Sequence, residues 1–393
     1  MLIYEKLTQA KSILKELDID CWLTFVRESA LNGDPILAFL VETPLTWHSA
    51  FIVTSDGRTR ALVGLYDQKS IEDLKAYDRV DSYVKGFKEP LTALLREMNP
   101  RSIALNFSKD SEICDGLTHG MYLTLQDVLG ELGMQERMIS AEHIISALRE
   151  RKSPLEISNL KEAIRITESI FQTVADFILP GRTEKEIATF MRAEVKKTGA
   201  ELAWEPGSCP AVFTGPDTAG AHYAPTDRVV ERGQILNMDF GVRHNGYCSD
   251  LQRTFYIRKE GEQQAPPDVQ KGFDTIVRSI ENARQKLRIG VQGIEVDTAA
   301  RETVTAAGYE EFPHALGHQV GRFAHDGTAL LGPAWEKYAL KPFERIEKGM
   351  VFTLEPRLTV QGRGIATIEE MVLVTEQGAE FLSTAQRQIL LVG

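Results

Sequence analysis

Four carboxylates and one histidine in the second half of the sequence are spaced so that they could share one metal-based chemistry. The stretch Ile235-Leu-Asn-Met-Asp-Phe-Gly-Val-Arg-His-Asn-Gly-Tyr-Cys-Ser-Asp-Leu-Gln-Arg-Thr-Phe-Tyr-Ile257 reads as two β-runs around a turn signal at His244-Asn245-Gly246. A hairpin folded about His244-Asn245 would set Asp239 directly opposite Asp250, on one face, with Cβ atoms about 4.5–5.5 Å apart. Two carboxylates that close repel each other in a half-buried sheet, so a positive group belongs between them. A pair of divalent ions suits that spacing, since bridged two-metal sites hold their metals about 3.5–4 Å apart.

The segment Phe312-Pro-His-Ala-Leu-Gly-His-Gln-Val-Gly-Arg-Phe-Ala-His-Asp326 adds three histidines, His314, His318 and His325, punctuated by Gly317 and Gly321. Neutral imidazole is a good metal ligand, and glycine lets backbone approach closely. His314 and His318 have the i, i+4 spacing of an HExxH zinc helix, but its glutamate is missing and that motif is rejected. Gly349 to Glu355 reads as a strand stopped by Pro356. Ile365 to Val374 reads as one further strand, on which Thr367, Glu369 and Met371 share a face and Glu370 takes the other. Glu355 and Glu369 are then the inward pair, because buried glutamates are rarely unpaired. The sum, Asp239, Asp250, His318, Glu355 and Glu369, is an oxygen-rich set for two fairly hard divalent ions.

These residues need a scaffold to hold them. At 393 residues the chain exceeds the roughly 250–300 at which single cores stop growing, so two domains are expected. Between Met1 and Lys152 helices and strands alternate, which points to a small α/β domain. The first helix is marked by Leu7, Ala10, Ile13, Leu14 and Leu17, and a hairpin by Ser55-Asp56-Gly57. His48, His119 and His143 stand alone there and form no chemical cluster. Ser153-Pro154-Leu155-Glu156 is a capping box with proline at the first helical position, and it opens a second domain, 153–393. That domain repeats itself: Gly181, Glu186, Thr189, Arg192, Val195 and Gly199 recur as Gly290, Glu295, Thr298, Arg301, Val304 and Gly308 at a constant offset of 109. Each copy reads as helix, glycine-ended turn, helix, glycine, then strands. Two copies closing around a shared core would leave a concave site between them.

Composition narrows the function classes. A net charge of -11 and a pI near 5.4 argue against nucleic acid or an anionic membrane as partner. Cys21, Cys114, Cys209 and Cys248 show no Cys-x-x-Cys, so neither a disulfide framework nor a thiolate zinc site is expected. The first twenty residues lack a signal-peptide pattern, and no apolar run approaches about 18 residues. A cytoplasmic setting is the expectation.

In the frames MDFG, YCSD, GHQVG, LEP and IEE, the ordered set Asp239, Asp250, His318, Glu355 and Glu369 resembles the pita-bread metallopeptidases: methionine aminopeptidase, aminopeptidase P and prolidase. The resemblance covers 153–393. The front domain looks like that of aminopeptidase P, prolidase and creatinase, which tilts the assignment to the Xaa-Pro branch. The fold implied is α+β, a creatinase-like α/β domain followed by a pita-bread catalytic domain of duplicated helix-helix-sheet units. The activity implied is hydrolysis of the Xaa-Pro bond of dipeptides or peptide N-termini. Two divalent ions per chain are implied, manganese first, with cobalt, zinc or iron as alternatives.

By the same resemblance Asp239 would bind one ion, Asp250 and Glu369 would bridge the pair, and His318 and Glu355 would bind the other. A bridging water or hydroxide would be the nucleophile and Glu355 its proton carrier. His222 looks like a substrate-side histidine, His325 like the one that steadies the scissile carbonyl, and His314 like a further pocket histidine. Small peptides are the implied partners and a homodimer the implied assembly. Other classes with this fold are a binding module without catalysis and a metal-free creatinase-like hydrolase, in which ligands of this kind are typically lost. The Xaa-Pro branch usually has arginine two residues before the last metal glutamate, where this chain has Thr367. That charge would come from elsewhere, Arg357 first and Arg363 second, or be absent with both arginines on the solvated surface.

Overall fold

Apolar side chains alternate across one sheet in the first of two units, 1–149. The computed structural model describes residues 2–218 and 223–393. Trp22, Val26, Phe51, Val53, Ala61 and Val63 face helices Leu2–Glu16 and Glu142–Glu150. Cys21, Leu23, Phe25, Ile52 and Leu62 face helices Lys88–Met98 and His119–Glu131. A period of two along each strand is what sends neighbours to opposite layers. Strand order is Arg79–Tyr83, Thr59–Gly64, Ser49–Thr54, Cys21–Val26, Ile103–Leu105, Met138–Ser140. The middle strands pair antiparallel and both outer flanks pair parallel. His48 is stacked on Phe87, with ring centroids 4.4 Å apart, and serves packing.

The second unit, 150–393, is the duplicated one. Helix Pro154–Ala175 starts at a complete capping box, with Ser153 N donating to Glu156 Oε2 at 2.8 Å. Helix Glu184–Thr198 follows, and helices Pro267–Lys286 and Gly293–Ala306 repeat the pair. The repeated glycines do the same backbone job in each copy. Gly181 and Gly290 have φ of +91° and +87°, and Gly199 and Gly308 have +74° and +90°, angles that side chains with a Cβ avoid. Repeated Glu186 and Glu295 each close a capping box. Among the described residues no helix is long and apolar enough to cross a membrane.

Strands from the two copies meet along a seam. The first copy contributes Ala211–Thr214, Ile235–Phe240 and Leu251–Ile257, joined by the C-terminal strand Leu390–Val392. The second contributes Val351–Leu354, Glu370–Thr375 and Gly378–Phe381, plus a ladder of Arg357–Val360 with Gly364–Thr367. Gln252 and Glu369 exchange backbone hydrogen bonds at 3.4 and 3.2 Å across the seam. Thr254 Oγ1 donates to the Thr367 carbonyl, and the Arg253 guanidinium donates to the Glu369 carbonyl at 3.0 Å. The side-chain amide of Asn237 donates to the carbonyl of Ile365.

Two details differ from the expectation. The hairpin turns about Asn245-Gly246, both at positive φ (+48° and +78°), with His244 paired to Tyr247. Two left-handed central residues make the tight turn whose twist matches a hairpin. Asp239 is therefore opposite Gln252, and Asp250 is its diagonal neighbour two positions away. The run 365–374 is also two strands rather than one. Gly364–Thr367 pairs with Arg357–Val360, while Glu370–Thr375 pairs with Val351–Leu354. The chain changes partner at Ile368 and Glu369, which places Glu369 at a break where it can turn toward the seam.

The hairpin closes only because Gly241 has no side chain: a Cβ there would lie 1.9 Å from the Ser249 carbonyl oxygen. Gly241→Ala is expected to destabilise the fold by about 1–3 kcal/mol, the usual cost of overpacking. Chemical denaturation would show this as a lowered midpoint, and an unchanged midpoint would contradict the register described.

Candidate metal centre

Each of the five side chains is delivered by backbone that has little freedom to move. Asp239 lies on strand Ile235–Phe240, and Asp250 directly precedes Leu251–Ile257. Glu355 follows the end of Val351–Leu354, where its N–H donates to the Leu316 carbonyl at 2.8 Å. His318 rides on a segment laid along that same strand: Thr353 N donates to His318 O at 2.9 Å and Val320 N to Val351 O at 3.0 Å. Gly317 permits this approach, since a Cβ there would meet the Thr353 carbonyl oxygen at 2.0 Å. Glu369 is held by its backbone exchange with Gln252.

The side chains converge at the seam. Asp250, His318 and Glu369 each offer a ligand atom, all within 4.8 Å of one another. His318 Nε2 is 3.4 Å from Glu355 Oε1, 3.7 Å from Asp250 Oδ2 and 3.9 Å from Glu369 Oε1. Asp239 and Asp250 lie close enough for each carboxyl group to feel the other's charge. Relative exposures of 4% at Asp239, 6% at Asp250 and 1% at Glu369 leave little water to screen them. Burial first, and then the charges of Asp239 and Glu355, push the Asp250 carboxyl well above the ordinary range. Burial and Asp239 do the same to Glu355, and burial with Asp250, Glu355 and Asp239 does so to Glu369. Glu369 Oε1 is buried with no hydrogen-bond partner among the described residues. A buried carboxylate oxygen left without a donor is costly. An oxygen-dominated donor set with one imidazole fits hard divalent ions of the manganese type, so the residues present fit a metal centre.

Around this cluster the ring of His325, itself exposed, stands edge-on to His318 with centroids 4.1 Å apart. His314 packs near Phe312 at 5.4 Å, its Nδ1 2.8 Å from Ala315 O, and does not join the group of mutually close ligand atoms. His222 lies outside the described residues. Sequence reasoning missed Gln252. It is 3% exposed, and its Nε2 donates to Glu355 Oε2 at 3.4 Å while its Oε1 accepts from Thr367 Oγ1 at 3.2 Å. Reading Asn245-Gly246 as the centre of the turn would have placed Gln252 opposite Asp239 and so found it. Glu370 faces away from the cluster yet is buried, ion-paired with Arg253 at 3.1 Å and accepting from Ser383 Oγ.

A carboxylate-rich centre at the seam of a duplicated helix-helix-sheet domain defines a pita-bread metallopeptidase. Residues 158–376 match metallopeptidase family M24, and the chain belongs to that family. It is 32% identical over 273 residues to the probable dipeptidase PepE of Mycobacterium tuberculosis, spanning 69% of this chain and 67% of that protein. An uncharacterized peptidase of Staphylococcus haemolyticus is 30% identical over 244 residues, which is 62% of this chain and 65% of that one. The solved structure of an X-Pro aminopeptidase from Thermotoga maritima is similar with a TM-score of 0.74 at 26% identity, covering 96% of this chain and 99% of the other.

Without a cation the raised carboxyl groups make a signed contribution to stability. Asp250, Glu355 and Glu369 are pushed up in the fold relative to an unfolded chain. Their protonated forms support the fold below the ordinary carboxylate range, and that support drains away as pH rises through the raised values. The melting temperature of chelator-treated protein is therefore expected to fall as pH is taken from roughly 5 toward 8. A saturating divalent cation, which binds the ionised forms, should flatten the profile. A chelated protein with no such decline would refute this electrostatic description.

Proposed function

We propose that this chain is a two-metal exopeptidase that hydrolyses the Xaa-Pro bond of dipeptides or of peptide N-termini. The observation that carries the reading is the convergence of Asp250, His318 and Glu369 within 4.8 Å, with Glu355 3.4 Å from the histidine and the charge of Asp239 acting on Asp250. Asp239 would hold one ion, Asp250 and Glu369 would bridge, and His318 and Glu355 would hold the other, with manganese the best match to the donors. The bound ions would polarise the scissile carbonyl and acidify a water to hydroxide near neutral pH. The dipeptidase name of one relative and the X-Pro aminopeptidase name of a similar structure support the substrate class.

The chain's own groups do the remaining work. Glu355 takes the proton released as the carbonyl carbon is attacked and returns it to the proline nitrogen as the C–N bond breaks. The Gln252 amide, oriented by the Thr367 hydroxyl, keeps Glu355 Oε2 in place. His325, exposed beside His318, faces incoming peptide and steadies the oxygen of the tetrahedral adduct. His314 and His222 would shape the pocket for the substrate.

Two measurements test this. Purified protein is expected to carry two divalent ions per chain and to release proline from an alanyl-proline dipeptide. Asp250→Ala or Glu369→Ala should abolish that release, because each removes a carboxylate shared by both ions; wild-type turnover in either variant would exclude the assignment. His325→Ala should lower turnover by roughly 10²–10³, the typical cost of losing an oxyanion donor, with metal content unchanged. Loss of metal along with activity would instead make His325 a ligand.

A further inference from the structure

His325 is carried by backbone that has neither helix nor strand to hold it. From 321 to 328 the chain runs through bends and irregular structure, and the His325 side chain is exposed. Its ring nevertheless stands edge-on to His318, with centroids 4.1 Å apart. A loop that must present one exposed ring at one place has to be tied on both sides of it, because ordering a free loop costs backbone entropy residue by residue.

Two buried carboxylates do the tying. Before the ring, the Arg322 N–H donates to Asp326 Oδ2 at 2.6 Å, and the Asp326 N–H donates to the Gln319 carbonyl at 2.8 Å. After the ring, one oxygen of Glu150 accepts from the N–H groups of both Thr328 and Ala329, the second at 3.2 Å. Glu150 opens the second unit and is 5% exposed; Asp326 is 1% exposed. Lys152, also buried, supplies the balancing charge. Its Cε and Asp326 Oδ2 lie 3.2 and 2.1 Å from the point that a Gly321 Cβ would occupy, so both flank one glycine. Its charge also acts on Glu150, where it opposes the upward push of burial on the carboxyl group. Among the described residues neither carboxylate belongs to the group of mutually close ligand atoms. Their printed partners are instead main-chain groups of the loop, and hydrogen bonds to a charged acceptor are the stronger kind.

We infer that Glu150, with Asp326 as its counterpart on the near side of the ring, is a positioning residue for His325. It fixes Thr328 and Ala329, and through them the backbone from which the imidazole is held against His318. The inference deepens the Xaa-Pro peptidase reading and rests on it for what the ring does to a substrate. That Glu150 places the ring is a separate matter of geometry. A group that steadies developing charge must be set to within a fraction of an ångström, so an anchor that touches no substrate still bears on turnover.

The test uses the full chain with saturating zinc, a closed-shell ion that leaves proton spectra sharp, and two substitutions at one position. Glu150→Gln keeps an oxygen that can accept from both N–H groups, whereas Glu150→Met keeps the length without that oxygen. The first readout is independent of turnover: the imidazole Cε1–H resonance of His325, assigned by its loss in His325→Ala. It should shift or broaden in Glu150→Met and stay near its wild-type position in Glu150→Gln, with the His314 resonance as the sign that the second unit is folded. If the methionine variant does not fold, Glu150→Ala, which leaves room for water at the two N–H groups, takes its place. The second readout is a double-mutant cycle on alanyl-proline. Glu150→Met should lower kcat by roughly 10- to 100-fold with metal content unchanged, the scale of a misplaced catalytic group. Glu150→Gln should retain part of the lost turnover. In the His325→Ala background Glu150→Met should cost little more, because the ring it places is gone. A His325 resonance unmoved in the methionine or alanine variant, or costs that simply multiply in the double variant, overturns the inference. A displaced resonance in a protein whose wild type does not cleave alanyl-proline would leave the positioning role standing and defeat the peptidase reading.

Discussion

Mutual repulsion among buried carboxylates is the constraint to which the rest of the second unit answers. Asp239, Asp250 and Glu369 are almost wholly withdrawn from water, and Glu355 stands against the same histidine as Asp250 and Glu369. Like charges at such range in a low-dielectric setting cannot all ionise without a counter-charge. Gln252, which donates to Glu355, and Thr367, which donates to Gln252, are neutral. The buried arginine of the seam, Arg253, is turned to the far side and spent on Glu370. The arrangement thus leaves the counter-charge to come from a cation.

A site under that internal pressure needs a frame that does not spread. Part of the stiffness comes from backbone approaching backbone more closely than any side chain would allow. Gly241 lies against the Ser249 carbonyl and Gly317 against that of Thr353. The rest comes from the seam, where Gln252 and Glu369 bind each other through the main chain and Arg253 donates to both of their carbonyls. Neither copy of the duplicated unit is sufficient. The first supplies Asp239 and Asp250, the second His318, Glu355 and Glu369, and the cluster exists only where the two sheets meet.

The neutral Thr367 hydroxyl orients the Gln252 amide toward Glu355, and Arg357 stands directly across the ladder from it. Partners in an antiparallel ladder share a face, so the two side chains leave the strands on one side.

Much of this was legible in residue order alone. Types and spacing marked out Asp239, Asp250, His318, Glu355 and Glu369, the offset repeat gave away the duplication, and the four repeated glycines announced left-handed turns that the backbone adopts. Such features are local: a φ that only glycine tolerates, a capping box or a ligand type is written in a few adjacent letters. Pairing partners were decided only in three dimensions. A one-residue shift in the turn, which moves every pairing partner by two, put Asp250 instead of Gln252 opposite Asp239. The apolar run from Ile365 to Val374 gave no sign that it would change partner at Glu369. Nor could sequence show that Arg363 is paired with Asp268. Strand register and ion pairing are settled by residues distant along the chain, and periodicity within one segment carries no information about which distant segment it will meet.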